Sequence, residues 1–323
     1  MARRGGCPSV AGTGLAPIGQ LLNKYNNDKG MEGGLSGPHT TEFTGAEGNR
    51  LAADIWDGRG HPVLFFHGGG QTRRAWDATA RRVAAAGMRA ITIDQRGHGE
   101  SEWAKSGNYT FAAFADDVAA VVRQTAEKFH VAPSAVGASL GGLSSLTAES
   151  RHGPLLDSLV LVDITPRMDP DGVAKVQGFM GERMAEGFAT LEEAAEAIAS
   201  YLPHRKRPTS LDGLRKNLRR SQDGRYRWHW DPAFMTSERN INLHARELME
   251  ELMAGLPSLH LPVLLVRGMQ SELVHEAYAR EFVDLAPSAS YVDVGGAGHM
   301  VAGDKNDIFC GAILDFLTDR EAA

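Results

Sequence analysis

A serine between glycines, in the segment GASLGG at residues 137–142, offers the clearest chemistry in this chain. The segment follows an apolar strand pattern directly and precedes a helical pattern directly. A serine on such a tight strand-to-helix turn projects its hydroxyl clear of the backbone, and flanking glycines avoid the collisions that a Cβ would cause. The N–H groups at the start of the helix favour negative charge beside it. We therefore predict that Ser139 is a nucleophile, the alternative being a Gly/Ser turn without chemistry.

A second glycine-rich segment, HGGG at residues 67–70, follows the apolar run PVLFF. A turn of this kind can present backbone N–H groups to an oxyanion, and each such donor contributes a few kcal/mol of transition-state stabilisation, on the order of 10²–10³ in rate. By position, we expect the N–H groups of Gly69 and Leu140 to form an oxyanion hole. A merely structural glycine turn is the alternative, and it suits Gly70 better than Gly69.

A third small-residue loop, GGAGHM at residues 295–300, follows a strand pattern near the end of the chain. A general base must reach a serine held elsewhere in the fold, and a late loop after the last strand suits that task. The chain has 12 histidines, most of which we expect at the surface or in packing positions. The loop context favours His299 as the base, with His67, His98 and His275 as lesser candidates.

Taken in order, HGGG, then DQRGHGES at residues 94–101, then GASLGG and GAGH, the chain resembles the α/β-hydrolase superfamily. The resemblance covers roughly residue 40 to the C-terminus, apart from one insertion. It implies an α/β fold with a mostly parallel central sheet, helices on both faces and a helical cap. It also implies a Ser-His-acid triad, and a structural rather than chemical role for Asp94 and Arg96.

The superfamily keeps the order nucleophile, acid, histidine, and this chain offers two acids between Ser139 and His299. Asp163 ends the strand after the nucleophile helix, where several relatives place their acid. Glu272 lies after the next strand, the commoner position, but Ser271 stands where many relatives carry aspartate. Asp163 is therefore favoured, while Glu272 stays open, as does a role for Asp163 in capping a turn.

Strand and helix patterns alternate from residue 40, which indicates a parallel sheet covered on both faces. The alternation stops between residues 166 and 257, where helical patterns dominate and no buried strand is evident. We predict a disordered leader at residues 1–39, with Met31 as a candidate first residue, because glycine and proline dominate there without apolar periodicity. The hydrolase core is expected at 40–165 and 258–323, and a helical cap at 166–257.

The predicted cap suggests what the substrate contacts. Large apolar side chains there, joined by Gly70 and by Met300 beside His299, are expected to bind the substrate, although packing within the cap would explain the apolar ones equally well. Nine cations either steer an anionic substrate or simply solvate a helix that buries Leu211, Leu214 and Leu218. The expected substrate-binding tryptophans are Trp228 and Trp230, the further apolar candidates are Phe179, Met180, Met184 and Phe188, and the cations are Arg205, Lys206, Arg207, Arg215, Lys216, Arg219, Arg220, Arg225 and Arg227.

Composition excludes several classes. With 42% hydrophobic residues and no apolar run near the roughly 20 residues of a membrane span, we expect no membrane partner. The net charge of -6 argues against nucleic acid, and two cysteines suggest neither disulfide nor metal site. No signal-like apolar region follows the N-terminus, so a cytoplasmic location is expected. The motifs imply no cofactor, and the oligomeric state is open.

These residues favour hydrolysis of a carboxylic ester or lactone with a small organic acyl group, through an acyl-enzyme intermediate. Hydrolysis of a C–C bond or an amide would use the same groups, so only the pocket decides. Perhydrolysis, as in haloperoxidase-like relatives, and a non-catalytic small-molecule receptor are further alternatives. Dehalogenase or epoxide hydrolase chemistry is disfavoured, because those relatives carry aspartate at the place of Ser139.

Overall fold

The computed structural model describes residues 37–201, 211–299 and 306–321. The strands are β1 (His39–Thr44), β2 (Arg50–Trp56), β3 (Pro62–Phe66), β4 (Arg89–Ile93), β5 (Ser134–Ala138), β6 (Leu159–Val162), β7 (Leu218–Arg220), β8 (Tyr226–Trp228), β9 (Val263–Gly268) and β10 (Ala289–Val294). Eight of them form one sheet in the order β1-β2-β4-β3-β5-β6-β9-β10, and the short strands β7 and β8 form a second.

The large sheet is mostly parallel, as predicted. β2 pairs antiparallel with β1 and β4, whereas every neighbouring pair from β4 to β10 is parallel. The central strands are continuous apolar runs because both of their faces are covered. Parallel strands end at the same edge, so the loops after β3, β5, β6, β9 and β10 meet there.

Helices cover both faces of this sheet and enclose two apolar cores. The helices are α1 (Asp77–Ala85), α2 (Phe111–Phe129), α3 (Leu140–His152), α4 (Pro170–Gly181), α5 (Leu191–Tyr201), α6 (Ala233–Thr236), α7 (Ala245–Gly255), α8 (Glu276–Leu285) and α9 (Asn306–Glu321). One core packs beneath α2, α3, α7 and α8, and the other beneath α1 and α9. Among the described residues, none of the helices combines the length and the apolar character of a membrane span.

The insertion, residues 166–257, is not entirely helical. It carries α4 to α7, but β7 and β8 pair as an antiparallel hairpin. The predicted helical face of Leu211, Leu214 and Leu218 is wrong, because a 3-10 turn spans Asp212–Lys216 and Leu218 begins β7. The unused signal was Asp-Gly at residues 223–224, a dipeptide that favours hairpin turns, and Gly224 has a φ of 81°.

The N-terminal boundary also differs slightly from the expectation. β1 begins at His39, inside the predicted leader, and pairs with β2 from His39 opposite Ile55 to Thr44 opposite Arg50. Only Phe43 of β1 is buried, so this edge strand gave little apolar signal. Residues 1–36, including Cys7 and Met31, lie outside the described residues.

Candidate active site

Ser139 lies on a strained turn between β5 and α3. Its φ of 45° and ψ of -112° fall outside the regions that side-chain-bearing residues prefer. The neighbouring glycines are required by close approach: a Cβ on Gly137 would lie 2.5 Å from the Gly142 nitrogen, and one on Gly141 would lie 2.3 Å from the Phe66 oxygen. The sequence therefore specifies this turn sterically, and the turn leaves the serine half-buried at the edge of the sheet.

The HGGG loop after β3 lies against this serine. A Cβ on Gly68 would be 3.5 Å from the Ser139 Cβ. Among the hydrogen bonds of the described residues, none uses the backbone N–H of Gly69 or of Leu140, the two expected oxyanion donors. The N–H of Gly70 is instead donated to His98 Nε2 at 3.1 Å. Gly70 has a φ of 76°, which explains the need for glycine there.

His67 and His98 are buried supports of this loop. His67 Nδ1–H donates to the Gly68 carbonyl at 2.8 Å, and Nε2 accepts the Gln95 N–H at 3.0 Å. His98 Nδ1–H donates to the Arg96 carbonyl at 2.9 Å. Burial lowers the pKa of His67 to about 4 and that of His98 to about 3, so both rings stay neutral. A neutral ring can both donate and accept, as these bonds require.

A buried ion pair fixes the turn after β4. Asp94 accepts the Arg73 backbone N–H at 2.6 Å and also pairs with the Arg73 guanidinium, whose Nε donates to Asp54 at 2.8 Å. A Cβ on Gly99 would lie 2.2 Å from an Asp94 oxygen. These bonds tie the turn to Arg73 and, through it, to β2, and none of them involves Ser139, in agreement with the structural role expected for Asp94.

Asp163 and His299 meet at the ends of β6 and β10. His299 Nδ1 lies 2.9 Å from Asp163 Oδ2, and the aspartate is fully buried. Asp163 Oδ1 accepts the Gly268 N–H at 2.8 Å, and Oδ2 also accepts the Ser271 hydroxyl at 2.5 Å. The acid is thus held by the loop after β9. A Cβ on Gly268 would lie 2.3 Å from the Gly298 oxygen, so glycine also lets that loop approach the histidine loop.

Among the described residues, no hydrogen bond or ion pair joins Glu272, the other candidate acid, to His299. Glu272 Oε1 accepts the Tyr201 hydroxyl of α5 at 3.3 Å, and Glu272 Oε2 lies 3.8 Å from where a Cβ on Gly298 would be. Neither Tyr201 nor the part played by Ser271 was identified from sequence. Each acts through contacts with residues far along the chain, so no local pattern indicates them.

In the described part of the chain, no hydrogen bond joins Ser139 to His299, the other pair of the expected triad. Among the described residues, Ser139 Oγ has no hydrogen-bond partner, His299 included. The strand order nevertheless gathers the three side chains, since β5, β6, β9 and β10 are consecutive and the Ser139 N–H donates to the Val162 carbonyl at 3.4 Å.

The predicted substrate contacts fall into different places. Trp230 Nε1 lies 3.6 Å from where a Cβ on Gly70 would be, whereas Trp228 is buried inside the insertion. Met300 lies outside the described residues. Met180 and Phe234 come within 3.5 and 3.6 Å of the Cβ position of Gly69, and Phe234 was missed because nothing in its local sequence relates it to that loop.

Those candidate cations of the insertion that the structure describes are mostly engaged in contacts at the surface. Arg205, Lys206 and Arg207 lie outside the described residues. Of the others, Arg227 pairs with Asp223 at 2.7 Å and Lys216 with Asp77 at 3.0 Å. Arg219 lies over Trp103, and Arg225 donates to the carbonyls of Glu186 and Gly187. These contacts agree with solvated cations rather than with steering. In the part of the chain that the structure describes, no three His, Cys, Asp or Glu side chains gather as metal ligands.

Comparison with known proteins agrees with this architecture. Residues 61–305 match the family model described as alpha/beta hydrolase fold, and the chain belongs to that family. The esterase Rv0045c of Mycobacterium tuberculosis is 29% identical over 85% of this chain and 88% of its own length. The 2-(acetamidomethylene)succinate hydrolase of Mesorhizobium japonicum is 30% identical over 80% and 89%. A solved alpha/beta hydrolase from Novosphingobium aromaticivorans has a TM-score of 0.74 at 23% identity, covering 89% of this chain and all of that one.

Proposed function

We propose that this protein is a serine hydrolase that cleaves a carboxylic ester or lactone through an acyl-enzyme intermediate. The observation that carries the proposal is the 2.9 Å contact between His299 Nδ1 and the buried Asp163, beside the strained turn of Ser139. A related protein named as an esterase supports the ester class. Within the proposal, Ser139 is the nucleophile, His299 the general base and Asp163 the acid.

Asp163 prepares the histidine for its task. Because the carboxylate accepts the Nδ1–H of His299, the lone pair on Nε2 is free to accept the Ser139 proton. As the proton leaves, Ser139 Oγ attacks the carbonyl carbon and a tetrahedral oxyanion forms. The N–H groups of Gly69 and Leu140 then donate to that oxyanion, supported by the N-terminus of α3.

Collapse of the tetrahedral species breaks the bond to the alcohol. His299, now protonated, gives its Nε2 proton to the leaving oxygen, and the acyl group stays on Ser139. A water then repeats the sequence: His299 takes its proton, the oxygen attacks the acyl carbon, and the acid leaves with the serine oxygen reprotonated. Besides the ester and this water, both halves of the proposed reaction use only the side chains and backbone N–H groups named above.

The insertion would act as a lid over this chemistry. Met180 and Phe234 contact the loop that would bind the oxyanion, so the acyl group would meet apolar surface. Trp230, beside Gly70, extends that surface. We therefore expect small to medium uncharged acyl groups to be preferred over charged ones, because a charged group would lose its hydration there without a partner.

The test combines turnover with covalent labelling. The protein is incubated with p-nitrophenyl butyrate and, separately, with a fluorophosphonate probe, and the labelled peptide is identified by mass spectrometry. We expect hydrolysis and labelling at Ser139, both abolished by Ser139→Ala. Ser106→Ala, at an exposed serine that donates a hydrogen bond to Glu47, should change neither hydrolysis nor labelling.

Labelling that is absent from the folded protein, or that persists in Ser139→Ala, would refute the proposal. Binding of esters without turnover would favour a receptor instead.

A further inference from the structure

A continuous line of side chains joins the oxyanion loop to the histidine loop across the insertion. The methyl carbon of Met180, in α4, lies 3.5 and 3.3 Å from where Cβ atoms on Gly69 and Gly70 would be. The preceding residue, Phe179, stacks on Tyr201 of α5 with ring centres 4.3 Å apart. Tyr201 in turn donates its hydroxyl to Glu272, beside Gly298. Since Ser139 lies between the two loops, a substrate bound there is bordered by this line.

The two ends of the line differ in chemistry. At the oxyanion loop the contacts are the thioether of Met180 and the ring of Phe234. At the histidine loop they are the phenol of Tyr201 and the carboxylate of Glu272. In the proposed reaction, His299 protonates the leaving alcohol, so that alcohol must lie on the histidine side. The leaving group would therefore meet the polar end, and the acyl group the apolar end.

The half-buried carboxylate of Glu272 receives few hydrogen bonds. Among the described residues its single hydrogen bond comes from Tyr201, and it makes no ion pair. Burial and the Glu272 carboxylate raise the pKa of Tyr201, so the phenol stays a neutral donor. A carboxylate has about four acceptor sites, and removing it from water without donors is unfavourable. A ligand that supplies donors or positive charge would satisfy the remaining sites.

Among the described residues, no cation pairs with Glu272. Lys175 Nζ lies 5.5 Å from the centre of the Tyr201 ring, but the side chain is exposed and makes no ion pair with Glu272. Phe179 holds the Tyr201 ring in place by parallel stacking, with 8° between the ring planes. The phenol therefore holds the carboxylate in place, and no group in the described part of the chain donates to Oε2, so its acceptor sites are open to a ligand.

We propose that Tyr201 and Glu272 form a leaving-group subsite that selects esters whose alcohol carries a cationic ammonium group. The inference rests on the proposed serine hydrolase function, and it gives Glu272 a role in specificity in place of the role of triad acid. Esters of neutral hydroxylated alcohols rank next. Esters whose alcohol carries a carboxylate are the poorest substrates, because that carboxylate would lie beside the half-buried carboxylate of Glu272 and repel it.

The test compares butyrate esters that differ only in the alcohol. The 2-(dimethylamino)ethyl ester is protonated near neutral pH, the choline ester carries charge without an N–H, the 3,3-dimethylbutyl ester is their neutral analogue, and the carboxymethyl ester is anionic. Each kcat/KM is divided by the rate of hydroxide-catalysed hydrolysis of the same ester, to remove intrinsic reactivity. We expect the cationic esters to exceed the neutral analogue by about tenfold or more, as for a partly desolvated charge pair.

Two variants separate this subsite from a structural role. Glu272→Gln keeps the shape and should lower the ratio of cationic to neutral kcat/KM about tenfold. Glu276→Gln is the matched control, because Glu276 is an exposed residue on α8 that pairs with Arg280. It should leave both the ratio and the activity unchanged.

Four results would decide against the inference or its basis. A wild-type protein without cationic preference, or a Glu272→Gln variant that loses activity equally on every ester, would overturn the subsite while leaving the serine mechanism intact. A preference that survives in Glu272→Gln would also overturn it. Failure to hydrolyse any ester, p-nitrophenyl butyrate included, together with no labelling of Ser139, would refute the proposed function instead.

Discussion

Replacing Asp163 by asparagine tests the assignment of the acid most directly. Asp163 accepts three hydrogen bonds, from the Gly268 N–H, the Ser271 hydroxyl and His299 Nδ1. An amide has one oxygen, so it cannot accept all three. If the asparagine oxygen accepts the Gly268 N–H, the asparagine NH₂ group faces His299. The Nδ1 atom of His299 must then accept a hydrogen bond, so the ring proton moves to Nε2. That tautomer cannot take the Ser139 proton.

We expect kcat/KM for p-nitrophenyl butyrate to fall by about 10⁴, as when a triad aspartate is changed to asparagine. At about 1.36 kcal/mol for each factor of ten, this is about 5.4 kcal/mol of transition-state stabilisation. Folding should persist, because Asp163 has a φ of 50°, a conformation that asparagine tolerates well. Circular dichroism and urea unfolding check this. Glu272→Gln should lose less than about tenfold, and a loss that small in Asp163→Asn would refute the assignment.

Three further predictions follow from single contacts. Ser271→Ala removes a hydrogen bond to the Asp163 carboxylate that contributes about 1.5–3 kcal/mol. This variant should lower kcat/KM about 10- to 100-fold. Ser271→Thr keeps the hydroxyl and should retain most of the activity. Gly141→Ala introduces a collision with the backbone and should lower the free energy of unfolding by about 2–3 kcal/mol. Gly178 lies in α4 with open space around its Cβ position, so Gly178→Ala should raise the free energy of unfolding by about 0.5–1 kcal/mol. Below pH 6.5, the unfolded chain protonates at His98 before the folded protein does, so the free energy of unfolding should fall by up to about 1.4 kcal/mol per pH unit from this residue.

Each of these has a result that would contradict it. Equal activity in the alanine and threonine variants at Ser271 would mean that the hydroxyl does not position the acid. Urea unfolding of the two glycine variants should shift in opposite directions, and a parallel shift would contradict the steric argument. For the pH dependence, His98→Gln should flatten the decline of stability between neutral and acidic pH, and an unchanged slope would show that other groups cause it.

Much of the fold could be predicted because buried parallel strands have a strong sequence signal. PVLFF and LVLV are continuous apolar runs, and the structure has β3 and β6 there. β1 gave no such signal, because HTTEFT is an edge strand with one buried residue. The hairpin of β7 and β8 is only three residues on each side, too short for periodicity to separate it from a helix.

The site was predictable to the extent that its residues lie at strand ends. Ser139 and His299 each follow an apolar strand within a glycine-rich loop, and such a loop is itself a sequence pattern. The other contacts depend on which chain segments meet: Tyr201 reaches Glu272 across 71 residues, and Ser271 reaches Asp163 across 108. Spacing in sequence carries no information about contacts of that kind.

The sequence is compatible with two acid positions for a physical reason, and that reason yields a last prediction. β6 and β9 are paired neighbours, so loops from either strand reach the same histidine, and Ser271 Oγ lies 2.5 Å from the Asp163 oxygen that contacts His299. A carboxylate at position 271 should therefore come within reach of the imidazole. In Asp163→Asn combined with Ser271→Asp, the new carboxylate can accept both the asparagine NH₂ and the Nδ1–H of His299, which restores the productive tautomer.

We expect the double variant to regain at least about tenfold of the activity lost in Asp163→Asn, because orienting the imidazole is the function that the single change removes. Ser271→Asp alone should be impaired, since two buried carboxylates would then adjoin and one would have to hold a proton. The comparison uses kcat/KM and the rate of Ser139 labelling in all four proteins. A double variant no more active than Asp163→Asn would mean that the backbone after β9 cannot present a carboxylate to His299, and that only the end of β6 supplies the acid in this protein.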